Sequence, residues 1–438
     1  MTSSQRAKKS LGILPLAAVI FLTVSGGPYG LEPLLGYAGR EGALLLLIIT
    51  PILWDIPAIL TVLELNSMMP VEGGYYTWVK TALGLRFAFY EGWWTWLYTF
   101  VDLAIYPVLF VTYAGYFWPE VATCKIPVCL VIVWGGALLN ILGISPVGKL
   151  SLLLGAAVLI PFLWMAGSAI GNPAASTPIA APSLTHLPLP ALGMGLYTVM
   201  WNFFGWDNAT TYAGEVQNAA KTYIRAIVLA FCAVIVLYLI TMIVVESSGM
   251  DAKSLADGGF PALGLRIGGP VLGTAVAIGG LAAQLGLYNA VLLSVSRVPE
   301  VMAKDRLLPA VLNRVHPRFG TPWVSIVVCA LVVSFFIFKT FDDLLVIDVT
   351  LYGAGLFVEF AALIMLRLRQ PDAARPFRIP FKIPGLILMY FLPVAIYAIA
   401  LCGAFLDSGG GFGPALLAAV VLLSAEPAWQ LATYFRKG

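Results

Sequence analysis

The chain has 438 residues, 60% of them hydrophobic and only 11% charged, with a mean hydropathy of +0.91 and a formal charge of +3. So little polar surface excludes a soluble globular domain, and continuous rather than alternating apolar runs exclude a transmembrane β-barrel. Five cysteines without metal-ligand spacing, and His186 and His316 as the two histidines, supply no metal or catalytic cluster; no cofactor and no nucleic-acid partner is expected.

About 20 apolar residues suffice to cross a bilayer, and twelve such windows follow one another: 11–37, 42–68, 85–117, 125–143, 147–171, 189–213, 223–247, 269–298, 321–339, 342–368, 384–406 and 412–434. The basic residues Arg6, Lys8 and Lys9 stand ahead of the first window. No small-residue cleavage site follows them, so the first window is expected to be kept as a helix rather than removed as a signal peptide.

Within that window Leu11 to Val24 is apolar apart from Gly12 and Thr23, and then Ser25-Gly26-Gly27-Pro28-Tyr29-Gly30-Leu31-Glu32 interrupts it. Unpaired backbone groups cost several kcal/mol each in hydrocarbon, so an irregular stretch at this depth is tolerated only where it lines a protein cavity. The bland alternative is a Gly-Pro kink packed against a neighbouring helix. The sixth window repeats the pattern: Ala191 to Met200 is apolar, and Trp201-Asn202-Phe203-Phe204-Gly205-Trp206-Asp207-Asn208 breaks it. Two broken spans separated by five are the spacing of two inverted five-helix repeats whose first helices are discontinuous. The second break moves the reading from kink to site. Free N–H groups of one half-helix attract a carboxylate, and free carbonyls of the other attract a cation. Gly26 and Gly27 let a ligand approach the backbone.

The loops carry the orientation. Twenty of the 25 Lys and Arg fall on one set of alternate connections, which also receives both termini; Arg40, Lys125, Lys253, Arg266 and Lys339 fall on the other. Positive charge marks the cytoplasmic face, so both termini are expected there, in a plasma or inner membrane. The connections 171–188, 247–268 and 297–322 are too short for a separate core.

Carboxylates lie deep without basic partners. Glu32, Asp55, Asp102, Asp207 and Glu359 fall well inside apolar windows, and Glu64, Glu91, Glu215 and Asp348 fall nearer their ends. An unpaired ion costs about 2.5–3.5 kcal/mol on insertion scales. Each acid is therefore protonated, hydrated in a pathway, or matched by a cation that enters from outside. Asp207 has the strongest case for a site, followed by Glu32 and Glu359. Asp102, one turn before Tyr106-Pro107, suits a pocket wall. Asp55, before Ile56-Pro57, suits the backbone freed by that proline, and Glu64 and Glu91 suit snorkelling to the basic loops. Glu215 suits a brace at the end of span 6. An ammonium on an aromatic face gains about 0.5–2 kcal/mol, which makes Tyr29, Trp94, Tyr106, Trp201, Phe204, Trp206 and Tyr288 candidate walls.

The motifs at 25–32, 70–78 (Pro-Val-Glu-Gly-Gly-Tyr-Tyr-Thr-Trp), 206–215, 359–362 and 375–380 (Arg-Pro-Phe-Arg-Ile-Pro) are those of a known family. The sequence resembles the amino acid–polyamine–organocation transporter superfamily, most closely its plant-type polyamine uptake branch, over nearly its whole length. The resemblance implies an all-α integral membrane protein of the LeuT type: inverted five-helix repeats over 1–171 and 189–368, with two additional helices over 384–434. It also implies secondary transport of amino acids or polyamines. Two positions depart from the pattern: Ala219 follows Asn218 where proline is usual, and Val158 stands where some bacterial members carry a lysine in place of a sodium ion.

The leading expectation is a proton-coupled transporter working by alternating access, with symport and antiport both open. A cationic amine is favoured over a neutral amino acid. The substrate-binding set is Gly26, Gly27, Tyr29, Glu32, Tyr106, Trp201, Asn202, Phe204, Trp206 and Asp207; the proton-coupling candidates are Glu32, Asp102, Asp207 and Glu359. A cation channel lacks its pore-loop logic here, a non-transporting sensor would not need the intact breaks, and no nucleophile–base or metal constellation supports an enzyme.

Overall fold

The computed structural model describes residues 11–338, 341–407 and 413–437. Arg6, Lys8, Lys9 and Lys339, counted above for orientation, lie outside them. The helices are α1 (Ile13–Val24), α2 (Leu34–Thr50), α3 (Ile56–Met68), α4 (Gly74–Leu83), α5 (Leu85–Ala114), α6 (Lys125–Ile141), α7 (Ile144–Ala169) and α8 (Leu189–Trp201). They continue as α9 (Ala219–Ser248), α10 (Ala252–Val295), α11 (Arg297–Lys304), α12 (Trp323–Phe336), α13 (Phe341–Arg369), α14 (Ile383–Asp407) and α15 (Gly413–Lys437). Helix dominates because a spanning segment must satisfy its own backbone.

Each of the twelve expected windows contains helix. Among the described residues eight helical stretches are long and apolar enough to cross a bilayer, and α1, α8 and α12 are shorter apolar helices. Two of the short ones end at the expected breaks: α1 stops at Val24 and α8 at Trp201. The second window is one continuous element, α2 running through a π-helical turn at Pro51–Asp55 into α3, with a left-handed residue at Gly39. α10 bends at Gly259 and Gly269, ahead of Pro261 and Pro270, so that its first part folds over one end of the bundle before it crosses.

α1 lies between α7, α9 and α10, and α5 packs along α13 on one side and α10 on the other. α14 packs on α8, and α15 on α13 and α5, so the last two helices brace both the second break and the α5–α13 pair.

Ion pairs gather at one end. Arg297 Nε lies 3.0 Å from Glu215, Lys80 Nζ 2.6 Å from Asp305, and Lys304 Nζ 3.0 Å from Glu72 and 2.9 Å from Glu300. Short backbone bridges join Leu11 to Val216 and Glu72 to Tyr212 there. Glu215 thus braces the end of the sixth span as expected. At the opposite end Arg40 donates to the carbonyls of Pro178 and Glu246. Because the two sets of connections do not mix, the ends are called basic and opposite below.

Three expectations for buried acids change. Glu64 does not snorkel: it is fully buried, accepts from Arg367 Nε at 2.8 Å and from the Ile379 amide at 2.8 Å, with Arg375 Nε 3.3 Å away. An ion pair with this many donors outweighs an exposed carboxylate, and it pins the 375–381 segment under α3. Glu91 is buried as well, because it faces α13 rather than the basic loops. Asp55 leaves the backbone near Pro57 alone and accepts from Trp206 Nε1 at 3.2 Å.

Candidate functional site

The first break is built from glycine geometry. The amides of Ser25 and Gly26 both donate back to the Phe21 carbonyl, at 2.9 and 3.1 Å, which ends α1. Gly26 (φ 59°) and Gly27 (φ 96°) then turn left-handed, a region closed to most side chains. A Cβ at Gly26 would strike Leu287 of α10, and one at Gly27 would strike Val158 of α7. The Gly27 amide donates to Ser25 Oγ at 3.0 Å. Both glycine amides are therefore engaged by the chain itself.

Beyond them the segment turns towards the opposite end. The Gly30 amide donates to Glu32 Oε2 at 2.6 Å, and the Tyr113 hydroxyl of α5 donates to Glu32 Oε1 at 2.8 Å. Tyr29 donates to the Val276 carbonyl of α10 at 2.5 Å. Tyr29 and Glu32 thus fasten the first break to α5 and α10.

The second break opens after Trp201. The Asn202 side-chain amide donates to the Thr198 carbonyl at 2.8 Å, leaving its Oδ1 without a donor although the residue is 1% exposed. At Gly205 (φ 96°) the chain turns, and its amide donates to the Tyr352 hydroxyl at 3.0 Å. That hydroxyl in turn donates to Asp207 Oδ1 at 2.8 Å. Two 3-10 turns, Asn208–Thr211 and Ala213–Glu215, replace a regular second half-helix. One side chain links the breaks: the Tyr238 hydroxyl of α9 sits 2.6 Å from Ser25 Oγ and donates to the Asn202 carbonyl at 2.9 Å.

A cavity lies between the two breaks. Its walls are Thr23, Val24 and Ser25 from the first, Trp201, Asn202 and Phe204 from the second, Asp102 and Tyr106 from α5, and Leu287 from α10. At about 10 Å³ it has room for about one water. An organic ligand is larger than this space, so the wall must move to admit one. Its polar residues are Thr23, Ser25, Asp102, Tyr106 and Asn202, whose Oδ1 has no donor among the described residues. The Tyr106 hydroxyl donates to Asp102 Oδ1 at 2.6 Å.

Two acidic levels line the α5–α13 contact. On α5, Glu91 and Asp102 are eleven residues apart, and on α13 Asp348 and Glu359 repeat that interval. Eleven residues are three helical turns, about 16 Å of rise, so each pair shares one helix face. Asp102 and Asp348 meet beside Trp201 at one level. Glu91, Glu359 and Asp207 meet at the other, towards the basic end. Between the levels Tyr98 and Tyr352 touch edge to face at 5.7 Å, and Tyr352 stacks on Phe204 at 4.4 Å. Neither oxygen of Asp348 or of Glu359 has a well-formed hydrogen bond among the described residues, although Trp201 and Asp102 stand against Asp348 and Asp207 against Glu359. Among the described residues no Lys or Arg pairs with either level. Close carboxyls in a low-dielectric interior cannot all be ionised without a cation between them.

Of the residues expected at a site, the structure brings Asp102, Tyr106, Trp201, Asn202 and Phe204 to the cavity wall, with Gly26 and Gly27 in the turn beside it. Asp207 points away from it, to Tyr352 and Glu359. Glu32 and Tyr29 stand towards the opposite end. Trp206 packs against α3 and α9, bonding Asp55 and crossing Phe231 edge-on at 5.5 Å. Trp94 donates to the Leu422 carbonyl of α15 and Tyr288 to the Val133 carbonyl of α6, so neither faces the cavity. Sequence reasoning missed Tyr238, Tyr352, Leu287 and the pairing of Asp348 with Asp102. The eleven-residue repeat of acids on two spans is the one signal that pointed to that pair.

Comparison with known proteins agrees with this architecture. The model of a family described as amino acid permease matches residues 11–423. A polyamine transporter of Arabidopsis thaliana is 33% identical over 399 residues, 89% of this chain and 80% of that protein. A polyamine transporter of Oryza sativa subsp. japonica is 33% identical over 412 residues, covering 92% and 75%. A serine/threonine exchanger of Bacillus subtilis is 23% identical over 439 residues, covering 93% and 92%.

Proposed function

The chain belongs to the amino acid permease family, a family of membrane transporters and not of enzymes, and on that premise we propose that it moves a cationic amine, a diamine or polyamine, by alternating access. The cavity between the two breaks is the substrate site in its closed state. The observation that carries this reading is the character of the cavity wall. Asp102 and Asn202 line the cavity, and Asn202 Oδ1 has no donor among the described residues. The Gly26 and Gly27 amides that would hold an amino acid's carboxylate are already engaged. An ammonium finds acceptors here, whereas the two glycine amides are already taken. Trp201, Phe204 and Tyr106 supply aromatic faces for the charged group. The names of the two plant relatives support the same class of substrate.

Opening alternates between two closures. At the basic end, taken as cytoplasmic from the distribution of Lys and Arg, the pairs Arg297–Glu215 and Lys304–Glu72 close the path. At the opposite end Glu32 and Tyr113 do so. Protons couple the cycle through Asp102, Asp348, Asp207, Glu91 and Glu359, with which no Lys or Arg is paired among the described residues. Domain boundaries at 1–171, 189–368 and 384–434 fit this scheme, the two repeats rocking about the breaks.

Uptake of radiolabelled 1,4-diaminobutane into proteoliposomes, with and without an imposed proton gradient, tests the reading. Saturable uptake that Asp102→Asn lowers at least tenfold is expected. Uptake of neutral amino acids with none of diamines overturns it.

A further inference from the structure

We infer that Asp102 and Asp348 act as a carboxyl pair that gives up one proton when an ammonium group enters the cavity. The inference rests on the amine reading above and adds to it a partner, Asp348, and a stoichiometry. Asp348 is fully buried on α13, lies against Asp102 and the Trp201 indole, and has no well-formed hydrogen bond on either oxygen among the described residues. Asp102 accepts from the Tyr106 hydroxyl on Oδ1, with Trp201 and Asp348 beside it, and it forms part of the cavity wall. Independently of the acids, Asn202, which lines the same cavity, has a buried Oδ1 with no donor among the described residues.

The groups around the pair do not neutralise it. Tyr98 and Tyr106 face it from α5. Tyr352 stands one turn along α13, while Tyr197 of α8 and Tyr397 of α14 are bound to Thr350. No lysine, arginine or histidine is paired with it among the described residues. With the cavity empty the two carboxyls therefore share one proton, and the site carries one negative charge. An entering R–NH3+ donates N–H bonds to Asp102 and to Asn202 Oδ1; the shared proton leaves to water, and the site becomes two carboxylates plus one ammonium. The net charge is again minus one, and no C–N bond is touched. The exchange therefore adds no further net charge to the membrane interior, where charge is costly. Run backwards, a proton arriving at the pair ejects the amine.

The test is isothermal titration of the purified full-length protein with 1,4-diaminobutane, in two buffers of different ionisation enthalpy. About one proton released per amine bound is expected for the wild type. Kd should fall about tenfold per unit rise in pH while the pair holds its proton. Asp348→Asn should still bind the diamine but release about no proton and lose the pH slope. Amine binding by the wild type without proton release overturns the inference and leaves the amine reading standing. So does an Asp348→Asn protein that releases as many protons as the wild type. Should that variant not fold, the wild-type proton count and pH slope decide alone. If no amine binds at all, both readings fall.

Discussion

Tyr238→Phe is the sharpest test of the paired breaks. The substitution keeps the ring, which crosses Phe203 edge-on at 4.9 Å, and removes only the hydroxyl between Ser25 Oγ and the Asn202 carbonyl. Ser25 keeps the Gly27 amide as a donor, so its loss is small. The Asn202 carbonyl belongs to a residue that is 1% exposed. Removing its donor leaves a desolvated acceptor, about 1–3 kcal/mol. The breaks are then free to drift apart in the empty protein, and an entering amine must bring them back together. The expected result is a diamine Kd raised about 5- to 150-fold, with little change in the amount of folded protein recovered. Binding is read by scintillation proximity on purified protein, with Phe203→Leu as a packing control. A Tyr238→Phe affinity within threefold of wild type would falsify the proposal that this hydroxyl holds the two halves of the site in register.

Three further results are expected. Asp207→Asn should abolish diamine uptake with the fold intact by circular dichroism, since it breaks the Tyr352 bond and the acid cluster with Glu359; unchanged uptake removes Asp207 from the mechanism. Glu64→Gln leaves Arg367 and Arg375 buried without a counter-charge and should destabilise the protein by about 3–5 kcal/mol, read as a lower melting temperature in detergent; an unchanged melt refutes the ion-pair hub. Gly26→Ala should stop uptake because its Cβ meets Leu287 at a positive φ, and Leu287→Ala added to it should restore only part, since the backbone strain remains; full rescue would mean that crowding alone fixes the glycine.

Much of the fold was legible because bilayer physics simplifies it. Length and hydropathy mark the spans, and a polar, glycine-rich stretch inside a span marks a break whatever surrounds it. Where a helix sets the phase, the sequence shows which side chains share a face: Asp102 and Tyr106 lie one turn apart on α5, and Trp201 ends α8. Inside the breaks no such phase exists. From Asn202 to Asp207 there is no 3.6-residue period, so nothing in the sequence says that Phe204 faces the cavity while Trp206 turns to α3 and Asp207 to α13. Tyr238 and Tyr352 were invisible for another reason. Each is a single tyrosine in an apolar span, and its importance lies in a hydroxyl that meets backbone from a distant part of the chain. Glu64 and Glu91 were assigned to the surface because snorkelling needs only proximity to a span end, whereas burial needs partners on α13 that no local pattern reveals.

The Glu64 hub also has a history within each molecule. Its carboxylate is made in the second span, and Arg367, which it meets in the finished protein, comes 303 residues later. At about 5–20 residues per second of synthesis, the acid waits roughly 15–60 s on the insertion machinery before that partner exists. During that interval it is held at the membrane interface, where water replaces the missing partner. Final seating of the second span against the tenth is thus one of the last events of biogenesis. A ribosome stalled before Arg367 should leave a nascent chain whose second span stays accessible to water-soluble reagents, long after its apolar residues have entered the bilayer.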